Sequence, residues 1–394
     1  MKNADDDVSG TFDAAVIGGG VMGCATALHL ARGGMRVALV ERSGLCAEAS
    51  GRNAGTMTPM FPAPFLVPYA LRGMELWKSA SSWLGRDIDF QARGGLELAF
   101  TEAEATGLES AMGERARAGA PIEIMDVEKA LRIEPEVSPK ARLAAYCPID
   151  GFVASNASGR AFRVALLGDG VRVMEGTPVI SIERLGGGFS LGTAAGCLEA
   201  RRIVLAGGAW IPKMAAWLGL NLPITCRIQQ MVVTERLAPL LNVVVRIFGR
   251  GSFKQAVNGS MLLGTVLQWI SEADREADEI DQVGLIRRMA WAVRNGREAI
   301  PALAGTRVLR TWTGLEAYAP DNLPVIGPLP GIDDAFVIGC QRSGFTCGPF
   351  MGRLLADLIV GRQPELPIAH PVFDPRRLLT MRADETSAAA RALS

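Results

Sequence analysis

Residues 14–41, AAVIGGGVMGCATALHLARGGMRVALVE, read as a strand, a glycine turn, a helix and a second strand ending in an acid. That is the order of a dinucleotide-binding βαβ unit. Gly18, Gly20 and Gly23 divide three tasks: a tight turn, close approach of the backbone to a pyrophosphate, and close packing of the helix on the sheet. Glu41, eighteen residues after Gly23 at the end of the apolar run 37–40, is placed to accept hydrogen bonds from adenosine ribose hydroxyls, and it disfavours a 2′-phosphate. The helix beginning near Met22 points free N–H groups and its positive dipole end at the phosphates, so Val21 and Met22 join the expected contacts. An adenine dinucleotide, NAD or FAD, is expected here.

The unit alone does not separate the two. Residues 48–55, EASGRNAG, follow the second strand closely. A small-residue polar loop suits a cofactor that continues past its pyrophosphate, and equally an ordinary solvated loop. On the first reading Arg42, Ser50, Gly51, Arg52, Asn53, Ala54 and Gly55 are cofactor contacts. Residues 203–210, IVLAGGAW, read as an apolar strand ending at the carboxyl edge of a doubly wound sheet, where cofactors lie, or as a plain buried strand and turn. The cofactor reading adds Ala206, Gly207 and Trp210, with Val179. Near the C-terminus, 335–339 is a last apolar strand, followed by CQRSGFTCG at 340–348. Pro349 falls where the first turn of a helix would start, and 350–360 continues it with Met351, Leu354, Leu355, Leu358 and Ile359 as an apolar face. A glycine-flanked helix N-terminus can approach a ligand and stabilise negative charge, which places Arg342, Ser343, Gly344, Phe345 and Thr346 beside the cofactor.

The composition agrees with an enzyme-sized globular chain. Its 394 residues, 49% apolar with mean hydropathy +0.20, suffice for two domains with large cores. Lys plus Arg equal Asp plus Glu at 41 each, so no net field pulls toward nucleic acid or anionic lipid, and a small molecule or a protein is the expected partner. Seven scattered cysteines without a CxxC pair read as reduced thiols and not as a disulfide frame or zinc site. Two histidines, His29 and His370, leave little for a metal, and none is expected; His29 reads as structural. The N-terminus carries three consecutive aspartates and no apolar core, and no stretch reaches the ~20 apolar residues of a membrane span. A cytoplasmic location is expected.

Beyond the first unit, 65–84 reads helical, with Leu66, Tyr69, Leu76, Trp77 and Trp83 available for a buried stripe. Helices are also expected at 102–118, 128–133, 157–167 and 281–295, and strands at 94–100, 171–174, 179–184 and 189–192. The run of strands 226–235, 243–248, 253–257 and 261–268 suggests an antiparallel sheet in a separate domain. The tail 382–394 is expected to fray.

Taken together, VIGGGVMG with Glu41, the loop ASGRNAG, DGFV at 150–153, VLAGGAW, RTWTGLEAYAPDNLPVIG at 310–327 and GFTCGPFMGRLLADLI span nearly the whole chain. In that order they resemble the superfamily of FAD-dependent amine oxidoreductases that holds D-amino acid oxidase, glycine oxidase and sarcosine oxidase. Residues 229–237, 253–265 and the C-terminal segment look most similar to the catalytic β-type subunits of opine oxidases and D-hydroxyproline dehydrogenases. The resemblance implies an α/β fold: a Rossmann-type FAD-binding domain (10–86, 147–222 and 323–365) interleaved with a substrate domain built on an antiparallel sheet (87–146 and 223–322), then a C-terminal extension, 366–394. It implies FAD, oxidation of the C–N bond of a small amino or secondary-amino acid to an imine, and a partner subunit carrying further redox cofactors, through which the chain would meet a membrane. In monomeric sarcosine oxidases a cysteine before the Pro-Asp pair holds the flavin covalently; Gly314 falls at about that position here, which argues against that route.

Such chemistry needs a neutral amine, a Cα–H aimed at flavin N5 and an anchor for the carboxylate. A guanidinium offers two parallel hydrogen bonds to a carboxylate. Glycine oxidases carry an arginine at the place of Arg342, which makes it the first candidate, with a surface arginine as the alternative; Arg52 is the second. Trp312 and Tyr318 are expected to wall the pocket, or, for Trp312, to pack in the core. At about the place of Glu316 glycine oxidases have a second arginine, so this acid either faces a cationic or polar part of a larger substrate, such as the guanidinium of an arginine-derived opine, or is an exposed or structurally paired glutamate. A noncatalytic flavin-binding subunit is the competing reading, and an NAD(P)-dependent dehydrogenase a weaker one.

Overall fold

The structure, a computed structural model, describes residues 10–264, 268–270, 282–340 and 342–380. Residues 265–267 of the expected 261–268 strand, the start of the 281–295 helix, Gln341 and the tail 382–394 lie outside the described residues.

Thr11–Ile17 lies inside an eight-stranded sheet, parallel to Val37–Val40 on one side and to Gly196–Leu205 on the other. Arg172–Met174 continues it in parallel beyond Val37–Val40. Gly196–Leu205 divides its outer edge: its first half pairs antiparallel with Gly188–Thr193, and its last three residues pair parallel with Ala335–Gly339. That second pairing brings the C-terminal strand to the glycine unit. The helices Val21–Arg32 and Gly344–Ile359 then share one core, with Val21, Ala25, Leu28, Met351, Leu354 and Leu355 all buried. Burying a large apolar side chain of this kind contributes about 1.5–3 kcal/mol.

Among the described residues the second sheet has nine strands and is antiparallel except where Val244–Ile247 runs parallel to Gly95–Ala99. Its longest ladder joins Thr225–Arg236 to Val308–Tyr318. One face carries Leu96, Leu98, Val232, Phe253 and Leu263, in one core with Ala292 and Ala299 of the helix Gln282–Ala299. Because strand side chains alternate, the residues between these point to the opposite face. There Glu97, Arg246, Ser252, Gly264, Met231 and Trp312 form one lateral row, each paired with the next. A small third sheet pairs Gly151–Phe152 with Thr56–Met57 and with Gln91–Ala92.

Local chemistry moves some expected boundaries. The 65–84 helix is broken into Val67–Lys78 and Ala80–Leu84, because Ser79 Oγ donates to the carbonyls of Glu75 and Leu76 at 2.9 and 3.3 Å and competes with the ladder. The 203–210 strand stops at Leu205; Gly208–Trp210 is a single 3₁₀ turn. The largest correction concerns Pro349, which sits inside the helix Gly344–Ile359 and not in its first turn. Proline has no N–H for the carbonyl four residues earlier, that of Phe345. Trp77 Nε1 donates to that carbonyl at 2.7 Å, and its ring stacks on Phe345 with centroids 4.8 Å apart. The indole repairs the helix, so its N-terminus reaches back to Gly344.

Candidate functional site

At the glycine turn, Gly18 has φ +112°, and an added Cβ would lie 2.6 Å from the Ala206 carbonyl oxygen; one on Gly23 would lie 2.0 Å from that of Gly18. Only glycine fits both positions. The helix that follows has no acid in its first turn and no side-chain cap at Gly20; Ser50 Oγ, from the 48–55 loop, accepts the Val21 N–H at 3.0 Å. Glu41 is buried and aimed. Its Oε2 accepts from Gly19 N–H at 2.7 Å, and its Oε1 accepts from the N–H and hydroxyl of Ser43 at 2.8 and 3.0 Å. A carboxylate has about four lone-pair sites, so acceptor capacity remains for a hydroxyl. Arg42 lies over the Trp210 ring at 3.6 Å and pairs with Glu48 at 2.7 Å.

The loop 48–55 is an internally bonded turn. Asn53 Nδ2 donates to the carbonyls of Ala49 and Ser50, its Oδ1 accepts from Gly55 N–H at 2.6 Å, and Ser155 Oγ donates to the carbonyls of Gly51 and Asn53. Arg52 spends its guanidinium on the carbonyls of Ala47 and Thr313 at 3.0 and 3.2 Å, and Trp312 Nε1 donates to the Arg52 carbonyl at 2.7 Å. These bonds fasten the loop to Val308–Tyr318 of the second sheet. At the other helix start, Ser343 is left-handed (φ +62°), and its buried Oγ has no hydrogen-bond partner among the described residues.

On the second sheet the register brings Glu316 directly opposite Arg227. Tyr318 donates its hydroxyl to Glu316 Oε2 at 2.8 Å, the Arg227 guanidinium lies over the Tyr318 ring at 4.3 Å, and Arg227 Nη2 donates to Asn322 Oδ1 at 3.1 Å. Burial pushes the Glu316 carboxyl up, against the pull of the Tyr318 hydroxyl and the charges of Arg342 and Arg227. Burial, with Glu316 next, also pushes Tyr318 well up and, acting on a cation, pushes Arg227 down. Arg342 is exposed and makes no hydrogen bond or ion pair among the described residues. Its charge acts on Glu316, Tyr318, Arg227, Arg115 and Glu97, so it stands among them.

The structure therefore brings Arg342, Tyr318 and Glu316 together, while Arg52 and Trp312 join the cofactor loop to the sheet. The sequence reading missed Arg227, Glu97, Arg246 and Lys254. Their strands were visible, but only the register tells which alternate residues face the site. His29 is a packing residue, stacked on Trp83 at 5.9 Å and pushed down to about 4 by burial.

A doubly wound sheet with this glycine turn and aimed carboxylate, joined to a second sheet, is the arrangement of a dinucleotide-binding protein. The family model for FAD-dependent oxidoreductases, DAO, matches residues 13–358, and the chain belongs to that family. Glycine oxidase of Geobacillus kaustophilus is 29% identical over 91% of this chain and 95% of its own length. A subunit of opine oxidase from Agrobacterium tumefaciens is 26% identical over 94% and 99%. The crystal structure of L-proline dehydrogenase from P. horikoshii superposes with TM-score 0.84 at 25% identity, over 94% of this chain and 98% of its own. The protein is an FAD-dependent enzyme. The residues present fit that cofactor, with an acid-free helix start, a buried aimed carboxylate and an unpartnered Ser343 hydroxyl at a second helix start. No described helix is long and apolar enough to cross a membrane.

Proposed function

We propose that this enzyme oxidises the C–N bond of a small amino or secondary-amino acid to an imine, which water then hydrolyses. FAD, when bound, supplies the acceptor for the hydride that leaves the substrate Cα. The residues 18–23, 41–42 and 50–55, with Val179, Ala206, Gly207, Trp210 and 343–346, would hold it, across the FAD-binding domain drawn above. Arg342 would anchor the substrate carboxylate. Tyr318, aligned by Glu316 and covered by Arg227, would wall the pocket and keep the amine in place. No side-chain base is required, because a neutral amine loses its Cα hydride directly and its N–H proton to solvent.

The observation that carries this reading is the exposed Arg342 guanidinium, without a hydrogen bond or ion pair among the described residues, acting on Tyr318, Glu316 and Arg227. The names of the relatives support an amino-acid substrate: glycine oxidase, opine oxidase and L-proline dehydrogenase. The opine oxidase relative is named as one subunit of its enzyme, which supports a partner chain and, with it, the competing role of a noncatalytic component. Anaerobic bleaching of the bound flavin by glycine, sarcosine, D-amino acids, hydroxyprolines and opines tests the proposal. At least one member is expected to bleach the flavin, and Arg342→Gln to lower kcat/KM for it by about 10²-fold or more. A flavin that none of them reduces would favour the noncatalytic role, and an unchanged kcat/KM would remove Arg342 as the anchor.

A further inference from the structure

On the site-facing side of the second sheet, Glu97, Arg246 and Asp150 form a buried cluster, exposed by 3%, 0% and 0%. Arg246 pairs closely with Asp150, while its Nε lies 3.7 Å from Glu97 Oε2, beyond hydrogen-bond reach. Glu97 Oε2 and Asp150 Oδ1 have no hydrogen-bond partner among the described residues. Two carboxyl groups share one arginine there, in a place closed to solvent. Burial pushes the Glu97 carboxyl up, opposed by Arg246, Arg115 and Arg342. Arg115, a further cation whose charge reaches Glu97, spends its N–H groups on the carbonyls of Phe61, Pro62 and Ala111. Arg246 Nε, which faces that oxygen, also has no hydrogen-bond partner among the described residues; buried polar atoms are normally paired, so the Glu97 acceptor is open to a further donor.

Glu316 is the other acid that feels Arg342, yet it already accepts the Tyr318 hydroxyl and faces Arg227. Of the two, Glu97 is the one with a buried oxygen that no described residue bonds. We propose that Glu97 is a specificity-determining residue: with Arg342 on the substrate carboxylate, Glu97 receives a cationic group, an ammonium or guanidinium, at the far end of the substrate. This rests on the amino-acid reading above.

Anaerobic flavin reduction by matched pairs tests it: arginine against citrulline and lysine against norleucine, each in both hands. The cationic member is expected to reduce the flavin about 10- to 100-fold more efficiently, and Glu97→Gln to bring the members within about twofold. Glu316→Gln is expected to keep the preference. Should Glu97→Gln fail to fold, Glu97→Asp is expected to retain the preference, and the wild-type comparison needs no variant. Equal efficiency within each pair, with glycine or proline still reducing the flavin, overturns the proposal and leaves the amino-acid reading intact. So does a preference that survives Glu97→Gln but disappears in Glu316→Gln. A flavin that no amino acid reduces overturns both.

Discussion

Around the glycine turn, Glu41, Ser50, Arg52 and Asn53 all have protein partners, whereas Glu97 and Arg246 on the second sheet, and Asp150 beside them, carry buried atoms with none among the described residues. Glu41 and the 48–55 loop are held in shape by hydrogen bonds within the protein. The sheet half tolerates costly burial of charge, which suits a surface whose remaining partners come with the substrate.

The strongest attack on this contrast is Gly23→Val. A Cβ 2.0 Å from the Gly18 carbonyl oxygen leaves no room to relax without moving the turn. Flavin content per protein, read by absorbance, is expected to fall about tenfold or more. A fully flavinated variant would show that the turn is as adaptable as the sheet.

Lys254 sharpens the other side. It is 4% exposed, its Nζ lies 3.5 Å from the Val153 carbonyl and 4.1 Å from the Phe152 ring centre, and burial pulls it from 10.5 down to about 7. Between those values the unfolded chain holds a proton that the folded protein has lost. Folding stability therefore falls as pH drops through this window, and the loss is complete below about 7. Lys254→Met is expected to raise stability by up to about 4 kcal/mol near neutral pH, a gain that vanishes above the unfolded pKa. Denaturant midpoints across that range check it; a gain independent of pH would sink the account.

The smallest expected effect lies where the two halves of the sequence meet. Trp77→Phe strips the Phe345 carbonyl of its donor and should cost about 1 kcal/mol or slightly more. In a Pro349→Ala background the helix supplies its own N–H, so the same substitution should cost less. Thermal unfolding of the four proteins measures the coupling, and strict additivity would contradict the repair.

Much of the nucleotide half was legible in the chain because its logic is local: glycine spacing, an apolar run and an acid lie within residues 14–41. The strands of the second sheet were legible too, by period, but not their faces. A slip of one residue turns every side chain over, and ladder pairing between distant strands sets that register. Glu316 illustrates the limit: the sequence showed an acid where glycine oxidases have an arginine, but not that Arg227 lies across from it.

By itself, then, the sequence determined the dinucleotide unit and the arginine in the C-terminal loop, each written in contiguous residues, and the family resemblance, written in the order of six short segments. Tertiary structure decided where that helix begins, through an indole 268 residues away, and which acid beside Arg342 is left open. Both depend on which backbone carbonyls and carboxylates find donors, and those donors come from elements that only folding brings together.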